Sequence, residues 1–253
     1  WTDAMDNVCE AIVLAGKIAN TSNRIMQVWI SEGTYYGLED THNAFYMIGN
    51  VYVYGGFAGT EAYNYDLTKR DFNTHISILD GENNKRVVYQ LYNLPEGQQS
   101  IFDGFTIQNG YTSPSSSDPS PQGAGVALRC HGILSNCVIK NNHTIGTVST
   151  AEGGGVYSFR GGKIINCKIL NNYSNNFAGG VALNDTSLLI NSIVANNEAF
   201  GTGYGVRAMN HSIVINTTIV SNKSANSNGA LYLYGSSSCI NNIIWGNTGI
   251  GSL

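Results

Sequence analysis

The chain has little charge, little proline and no long apolar run. Charged side chains make up 12% of its 253 residues, about half of the ~25% that is usual in soluble proteins. Lysine and arginine number 13 against 17 aspartates and glutamates, and the resulting net charge of −4 would not attract nucleic acid or an anionic membrane. No apolar stretch approaches the ~20 residues of a membrane helix. We therefore expect no nucleic-acid partner and no membrane span in this chain.

The cysteines lack the spacing of a metal or disulfide site. A zinc site needs closely paired cysteines, and a disulfide framework needs an even number of them. The five cysteines form no Cys-x-x-Cys pair, and we predict small buried thiols, no metal site and no cofactor. They are Cys9, Cys130, Cys137, Cys167 and Cys239.

Glycine and asparagine are abundant instead, and they recur in a repeat. The chain has 30 glycines and 31 asparagines, and 42% of its residues are hydrophobic, which is too apolar for a disordered chain. A Gly-rich entry followed by an apolar anchor recurs at steps of 30, 25, 25 and 25 residues. The anchors are Val126, Val156, Val181, Val206 and Leu231.

A second motif keeps the same steps, which makes each copy one structural unit. It contains two asparagines six positions apart. The first asparagines are Asn136, Asn166, Asn191, Asn216 and Asn241, and the second are Asn142, Asn172, Asn197, Asn222 and Asn247. We expect them in turns, where asparagine tolerates left-handed backbone and its amide can bond to the next coil. Four of these asparagines begin Asn-x-Ser/Thr glycosylation sequons. Stacking of equivalent asparagines from coil to coil explains their repetition better than glycosylation does.

The local pattern predicts a parallel β-helix with coils of about 25 residues. Apolar residues alternate with period two, and no helical stripe appears in the repeats. Short strands joined by Gly and Asn turns must stack on their neighbours, which places equivalent residues ~4.8 Å apart. We predict two inward columns, one immediately before the first asparagine and one three places after it. They are Ser135, Ile165, Ile190, Ile215 and Ile240, and then Ile139, Ile169, Val194, Ile219 and Ile244.

The whole chain is predicted to be a single domain. Residues 1–22 are predicted to form an N-terminal capping helix over the open first coil, because residues 2–19 have apolar positions spaced by three and four. Residues 23–110 fit irregular early coils, 111–122 an inserted loop, and 123–253 the regular coils. Because no cap follows the last coil, we expect the native chain to continue beyond residue 253 or to pair there with a second molecule.

The order of motifs resembles a known family. The motifs are Trp-x-Asp-Ala at residue 1, Val-Trp-Ile-Ser-Glu-Gly-Thr-Tyr at 28–35, Val-Tyr-Gly-Gly-Phe-Ala-Gly-Thr-Glu at 53–61, Arg-Asp at 70–71, Ile-Leu-Asp-Gly at 78–81, Asp-Gly-Phe-Thr-Ile at 103–107 and the later Ile-x-Asn-Cys-x-Ile. Together they resemble secreted right-handed parallel β-helix proteins with polymorphic outer membrane protein repeats and, more distantly, the pectate-lyase-like superfamily. The resemblance implies a right-handed solenoid that is secreted or associated with a bacterial cell surface or outer membrane.

Catalytic residues are poorly indicated. The best acidic candidates are Asp80, Glu82 and Asp103, but Asp80 and Asp103 each precede a glycine, which favours a role in a turn.

Outward positions beside the Gly entry are more informative about binding. Aromatic and arginine side chains on one rigid sheet suit stacking on sugar rings or peptides, although exposed aromatics also raise strand propensity. Insertions at 111–122 and 143–152 would emerge at one corner beside this sheet. The candidate binding residues are Arg129, Tyr157, Phe159, Arg207, Tyr232 and Tyr234, with Met209 in the same columns.

Three functions therefore stay open. The leading hypothesis is a binding protein or adhesin that recognises a polysaccharide, another glycan or a surface protein partner. The alternative, implied by the pectate-lyase-like resemblance, is a polysaccharide lyase or glycoside hydrolase. The third is a passive surface stalk.

Overall fold

The fold was analysed in a computed structural model of the chain. The structure describes residues 1, 4–38, 42–114, 121–146, 151–226 and 229–249. These residues form a parallel β-solenoid of about eight turns, preceded by helix α1, Val8–Ser22. This confirms the predicted architecture of coils with an N-terminal helix. A short 3-10 helix, Leu67–Lys69, lies in the long loop between residues 57 and 77.

Two sheets of eight parallel strands form adjoining faces of the solenoid. Sheet A contains β1 Met26–Ser31, β4 Val51–Phe57, β7 Ser100–Asp103, β11 Gly132–Ser135, β15 Lys163–Ile165, β19 Leu188–Ile190, β23 Ile213–Ile215 and β26 Ser238–Ile240. Sheet B contains β2 Gly33–Tyr36, β5 Ser77–Asp80, β8 Phe105–Gln108, β12 Val138–Lys140, β16 Lys168–Leu170, β20 Ile193–Ala195, β24 Thr218–Val220 and β27 Ile243–Trp245.

A larger and a smaller sheet complete each turn. Sheet C contains β3 Asn43–Tyr46, β6 Arg86–Tyr89, β10 Val126–Leu128, β14 Val156–Phe159, β18 Val181–Asn184, β22 Val206–Met209 and β25 Leu231–Tyr234. Sheet D contains β9 Tyr111–Thr112, β13 His143–Thr144, β17 Tyr173–Ser174 and β21 Glu198–Ala199. The anchors Val126, Val156, Val181, Val206 and Leu231 pair directly from strand to strand, which confirms the predicted register.

Helix α1 caps the first coil but begins later than predicted. Asn7 is its N-cap, and the Asn7 side chain accepts from the backbone N–H groups of Cys9 and Glu10. This cap moves the start to residue 8 and leaves Met5 exposed. Thr2 and Asp3 lie outside the described residues. The predicted apolar face is correct, because it is buried on the hydrophobic core at Val8, Ile12, Ala15 and Ala19.

One of the two predicted inward columns is wrong. The column of Ile139, Ile169, Val194 and Ile219 is fully buried, as expected, but its last member, Ile244, is 49% exposed because no described coil covers it. The residues immediately before the first asparagine, from Ser135 to Ile240, instead point outward. The buried residues lie one position earlier, at Leu134, Ile164, Leu189 and Val214. The cause is the first asparagine of each coil, whose left-handed backbone has a φ of 50° to 54°. It turns the chain between sheets A and B, so the alternation of inward and outward side chains shifts by one position there.

The two asparagine series have different roles. The first series occupies the left-handed corner on the outside of the solenoid, as predicted. The second series forms a hydrogen-bonded ladder inside it. Asn142, Asn172, Asn197 and Asn222 are at most 1% exposed. The backbone N–H and side-chain amide of each donate to the Oδ1 atom of the next, at 2.9 to 3.0 Å.

The predicted early coils share the same sheets. Residues 100–108 form two strands, β7 and β8, because Gly104 with φ of 82° turns the chain between them. The inserted loop at 111–122 begins as strand β9, and its residues 115–120 lie outside the described part, as do 147–150 of the second insertion. Cys9, Cys137 and Cys167 are buried, as predicted, but the prediction is wrong for Cys130, which is half-buried, and for Cys239, which lies in the last coil and is exposed.

Two further features concern membranes and the last coil. Among the described residues, no helix has the length and apolar character to cross a membrane. The last coil exposes several large apolar side chains, with Ile243 at 63% and Trp245 at 75%. Ile243 and Trp245 pair in register with Thr218 and Val220 of the preceding coil. The expected continuation beyond residue 253 stays a prediction.

Candidate functional site

A column of outward positions, five of them with large side chains, runs along the outer face of sheet C. We call it the tyrosine–arginine stripe. It pairs residue by residue through seven adjacent strands, and at ~4.8 Å per strand it extends over roughly 29 Å. Its members are Tyr46, Tyr89, Ala127, Tyr157, Ala182, Arg207 and Tyr232.

Sequence reasoning identified Tyr157, Arg207 and Tyr232 of this stripe and missed Tyr46 and Tyr89. Each follows a fully buried apolar residue, Phe45 or Val88, which is the local signal that they share. Unequal insertions separate these early strands from the regular coils, so a fixed step of 25 residues does not reach them. The rings of Tyr46 and Tyr89 lie 6.2 Å apart in an edge-on contact, and the Arg86 guanidinium lies 4.7 Å from the Tyr89 ring.

The stripe is less exposed than the sequence predicted. Ala127 and Ala182 alternate with the large side chains and are buried among them at 5% and 2% exposure. Tyr157, Arg207 and Tyr232 point outward but are half-buried. The expectation that Tyr157 simply points to solvent is therefore wrong, because the corner segment beside sheet C covers part of the face.

A second outward column borders the stripe. Phe159 pairs with Asn184, and Met209 pairs with Tyr234. Tyr234 is 58% exposed, whereas the other three are half-buried. Arg129 directly follows strand β10 and interacts electrostatically with Tyr157. All six predicted binding residues therefore lie on or directly beside one face.

The inserted corner forms a wall along this face. Gln122, Glu152 and Phe177 are linked by isolated parallel bridges from coil to coil, just ahead of sheet C. Glu152 forms an ion pair with Arg207, and both side chains are about 15% exposed. The Arg207 guanidinium also lies 4.3 Å from the Phe177 ring and 5.9 Å from the Tyr232 ring. These contacts hold Arg207 against the sheet.

Burial raises the pKa values of two side chains at this wall, Glu152 and Tyr157. Burial raises the pKa of Glu152, and the neighbouring Arg207 offsets the rise only in part. Burial also raises the pKa of Tyr157, and the negative charge of Glu152 adds to the rise. The Tyr157 hydroxyl therefore stays protonated at neutral pH and is held by the Asn184 and Gln122 side chains. Within the described residues, the Arg207 Nε atom is buried without a hydrogen-bond partner.

Positive charge is concentrated on this side of an acidic chain. Four of its six arginines, at positions 86, 129, 160 and 207, lie on sheet C strands or directly after them. Arg207 pairs with Glu152, and Arg160 lies 3.7 Å from Asp185. Arg129 forms no ion pair with any described residue, so its guanidinium can bond to a ligand.

The acidic candidate Asp103 has a structural role. It is 7% exposed at the end of strand β7 in sheet A. One carboxylate oxygen lies 2.6 Å from the Arg70 guanidinium, and the other accepts from Asn136 Nδ2 at 2.8 Å and from the Ser135 hydroxyl. Arg70 also donates to the Gly55 carbonyl at 2.9 Å. Asp103 and Arg70 thus fix the long loop after β4 against the solenoid.

Asp80 is the last residue of strand β5 in sheet B, and Glu82 lies in the turn that follows it. Asp80 accepts from the backbone N–H of Glu82 and from the amides of Gln108 and Asn109, each at 2.8 Å. Glu82 pairs with Lys85 at 2.8 Å. The structure therefore does not bring Asp80 and Asp103 together, and neither lies on sheet C. Among the described residues, no cluster of histidine, cysteine or carboxylate side chains is arranged to hold a metal.

Comparisons with family models, with curated proteins and with solved structures found no match. The structure supports a parallel β-solenoid of about eight turns. The resemblance to polymorphic outer membrane protein repeats and to pectate lyases stays a prediction from the motifs.

Proposed function

We propose that the protein is a secreted or cell-surface β-solenoid that binds an extended glycan along the tyrosine–arginine stripe. The observation that carries this proposal is the unbroken register of the stripe across seven strands of sheet C. A linear polymer presents repeating units to such a column, so several rings and one arginine can be engaged at once. The motif resemblance described above supports the secreted or surface location.

The chemistry of the face suits sugar rings. Aromatic side chains present flat apolar surfaces with polar edges, and sugars combine apolar ring faces with hydroxyl groups. Tyr157 and Arg129 supply donors beside these rings, and the Asn184 amide supplies both a donor and an acceptor. Because packing already orders the half-buried rings, binding loses little side-chain entropy.

A surface protein partner is the alternative occupant of the same face, since tyrosine and arginine are also enriched in protein interfaces. Catalysis is less well supported. The candidate carboxylates Asp80, Glu82 and Asp103 are held in turns or ion pairs away from the stripe. A passive stalk would not need a walled face that combines aromatic rings with arginine.

Affinity measurements on a panel of neutral and acidic polysaccharides test the proposal. Tyr232→Ala and Arg129→Ala remove one ring and one free cation from the face. Tyr173→Ala is the matched control, because Tyr173 is a half-buried tyrosine on sheet D. An aromatic contact is worth about 0.5–1.5 kcal/mol, so Tyr232→Ala should weaken binding by about twofold to tenfold.

The outcomes separate the alternatives. Retained binding by the control and weaker binding by both stripe variants would support the proposal. An equal loss in all three variants would contradict it, as would the absence of binding to every polysaccharide. New reducing ends or unsaturated products in the same samples would point to the lyase or hydrolase alternative.

A further inference from the structure

A groove of about 820 Å³ runs between helix α1 and strand β1 at the N-terminal end of the solenoid. The helix contributes an apolar wall that includes Leu14 and Ile18, which are 47% and 40% exposed. The opposite wall is the whole of strand β1, Met26–Ser31, with Trp1 and Tyr63 nearby. None of the sixteen lining residues carries a charged side chain. This volume is in the range of ligand-binding clefts, roughly 300–1,000 Å³.

Strand β1 presents an open edge to this groove. It is the first strand of sheet A and, among the described residues, pairs only with β4. The Met26 N–H donates to the Asn50 carbonyl at 2.8 Å, so Met26 directs its backbone groups towards β4. Because this direction alternates along a strand, Gln27 and Trp29 direct their N–H and C=O groups the other way. No described residue pairs with those groups.

We propose that the groove binds an extended, uncharged polypeptide segment, which adds to β1 as a further strand of sheet A. The backbone of the segment would bond to Gln27 and Trp29, and alternate apolar side chains would enter the groove beside Leu14 and Ile18. This is strand addition at an exposed sheet edge, a recurring mode of peptide recognition. The added strand would continue the interface that β1 already forms with β4.

Two other occupants fit less well. A lipid chain would fill the apolar space but leave the backbone groups of β1 without hydrogen bonds, which is costly once water is excluded. A second copy of the protein would need a larger surface, since standard interfaces use about 20–30 residues on each side. The sixteen residues of the groove match a peptide better.

The probe is a fluorescein-labelled peptide that copies residues 25–31, which carry no charged side chain, because strand β1 itself makes this kind of pairing with β4. Its binding is followed by fluorescence anisotropy. Leu14→Glu places a charge in the groove. Val13→Glu is the matched control, because Val13 is 43% exposed on the same helix but does not line the groove. A buried unpaired charge is costly, so Leu14→Glu should weaken binding by at least about tenfold, whereas Val13→Glu should leave it unchanged.

A second peptide tests the hydrogen bonds. It has the same sequence with methylated backbone nitrogens at alternate residues, and it should not bind. Equal binding of the two peptides would overturn strand addition. Equal binding by Leu14→Glu and the native protein would also overturn the proposal, as would no binding up to about 1 mM peptide. Self-association of the native protein that Leu14→Glu abolishes would assign the groove to a second copy instead. If Leu14→Glu fails to fold, Ile18→Glu replaces it, since Ile18 lines the same wall.

Discussion

Replacing the interior residue Asn197 with alanine should destabilise the solenoid although it leaves the backbone unchanged. Asn197 is fully buried, and its side chain makes four hydrogen bonds. Its Oδ1 atom accepts from the backbone N–H and the Nδ2 of Asn172, at 2.9 and 3.0 Å. Its Nδ2 atom donates to the Ile169 carbonyl and to Asn222 Oδ1, both at 2.9 Å. Alanine can make none of these bonds.

The expected cost follows from the groups that lose a partner. The Asn172 backbone N–H and one of its amide hydrogens remain buried without an acceptor. Asn222 Oδ1 keeps its bond from the Asn197 backbone N–H, at 2.9 Å. A buried unsatisfied group costs about 1–3 kcal/mol, so two donors give about 2–6 kcal/mol. This is a large part of the ~5–15 kcal/mol that stabilises a typical domain.

Asn191→Gly is the matched control in the same coil. Asn191 is an exposed corner residue with φ of 50°, which glycine adopts freely, and its side chain only accepts from Asn216 at 3.1 Å. Its loss should cost less than about 1 kcal/mol.

Urea unfolding followed by circular dichroism compares the two variants. Because coils of a solenoid can unfold separately, exchange of the Asn172 amide hydrogen reports the local loss directly. Equal stability of Asn197→Ala and Asn191→Gly would refute the argument that the inner ladder holds neighbouring coils together.

Three further predictions concern the register, the buried wall and the thiols. Deleting residues 156–180, one complete coil, should leave a folded protein of similar melting temperature, whereas deleting one residue fewer should misalign every later column and lower the melting temperature sharply. Equal soluble yield and melting temperature for both deletions would contradict the solenoid register. Glu152 has a raised pKa in the folded state, so its contribution to stability is present below its ordinary pKa of 4.5 and is lost as pH rises through the raised value. Glu152→Gln should therefore reduce the pH dependence of the melting temperature across that pH window. An unchanged dependence on pH would contradict the burial of this carboxyl. Burial raises the pKa of Cys137 well above its ordinary value, and Cys167 is buried beside it. Iodoacetamide should therefore modify the exposed Cys239 in the native protein but modify Cys137 and Cys167 only after unfolding. Mass spectrometry follows the modification of each cysteine. Fast native labelling of Cys137 would contradict its place in the core.

The sequence predicts the coils well because the interior imposes the same demand on every turn. A column such as Ile139 to Ile219 repeats in type as well as in spacing, and the second asparagines repeat without exception over five copies. The choice of ladder over glycosylation is also supported, because Asn142, Asn172 and Asn222 are at most 1% exposed.

The corner between sheets A and B explains the main error in the fold. Period-two alternation applies along a straight strand, but Asn136 and its equivalents adopt a left-handed backbone that turns the chain. One continuous alternation of inward and outward side chains therefore cannot assign the residues on both sides of this corner. A rule that restarts the alternation at every such asparagine would have placed Leu134 inside and Ser135 outside.

The candidate site was only partly accessible to sequence reasoning for a different reason. The positions of Tyr157, Arg207 and Tyr232 follow from the repeat, but their burial depends on the wall formed by Glu152 and Phe177. That wall comes from segments between the repeats, whose lengths vary. Long-range ion pairs such as that of Arg207 with Glu152 have no periodic signal.

The faces of each coil differ in composition, and this difference favours sheet C as the binding face for a polar ligand. The inner asparagine ladder and the buried aliphatic columns fix the register, so outward residues can differ without disturbing it. In the later coils, the outward positions of sheets A and B hold mainly aliphatic residues such as Ile190, Ile215 and Ile193. Over the same coils, sheet C instead presents Arg207 and Tyr232 beside the inserted corner. Aliphatic faces suit apolar contacts, whereas sheet C of these later coils combines rings, a cation and a wall, so a glycan would find a complementary surface there.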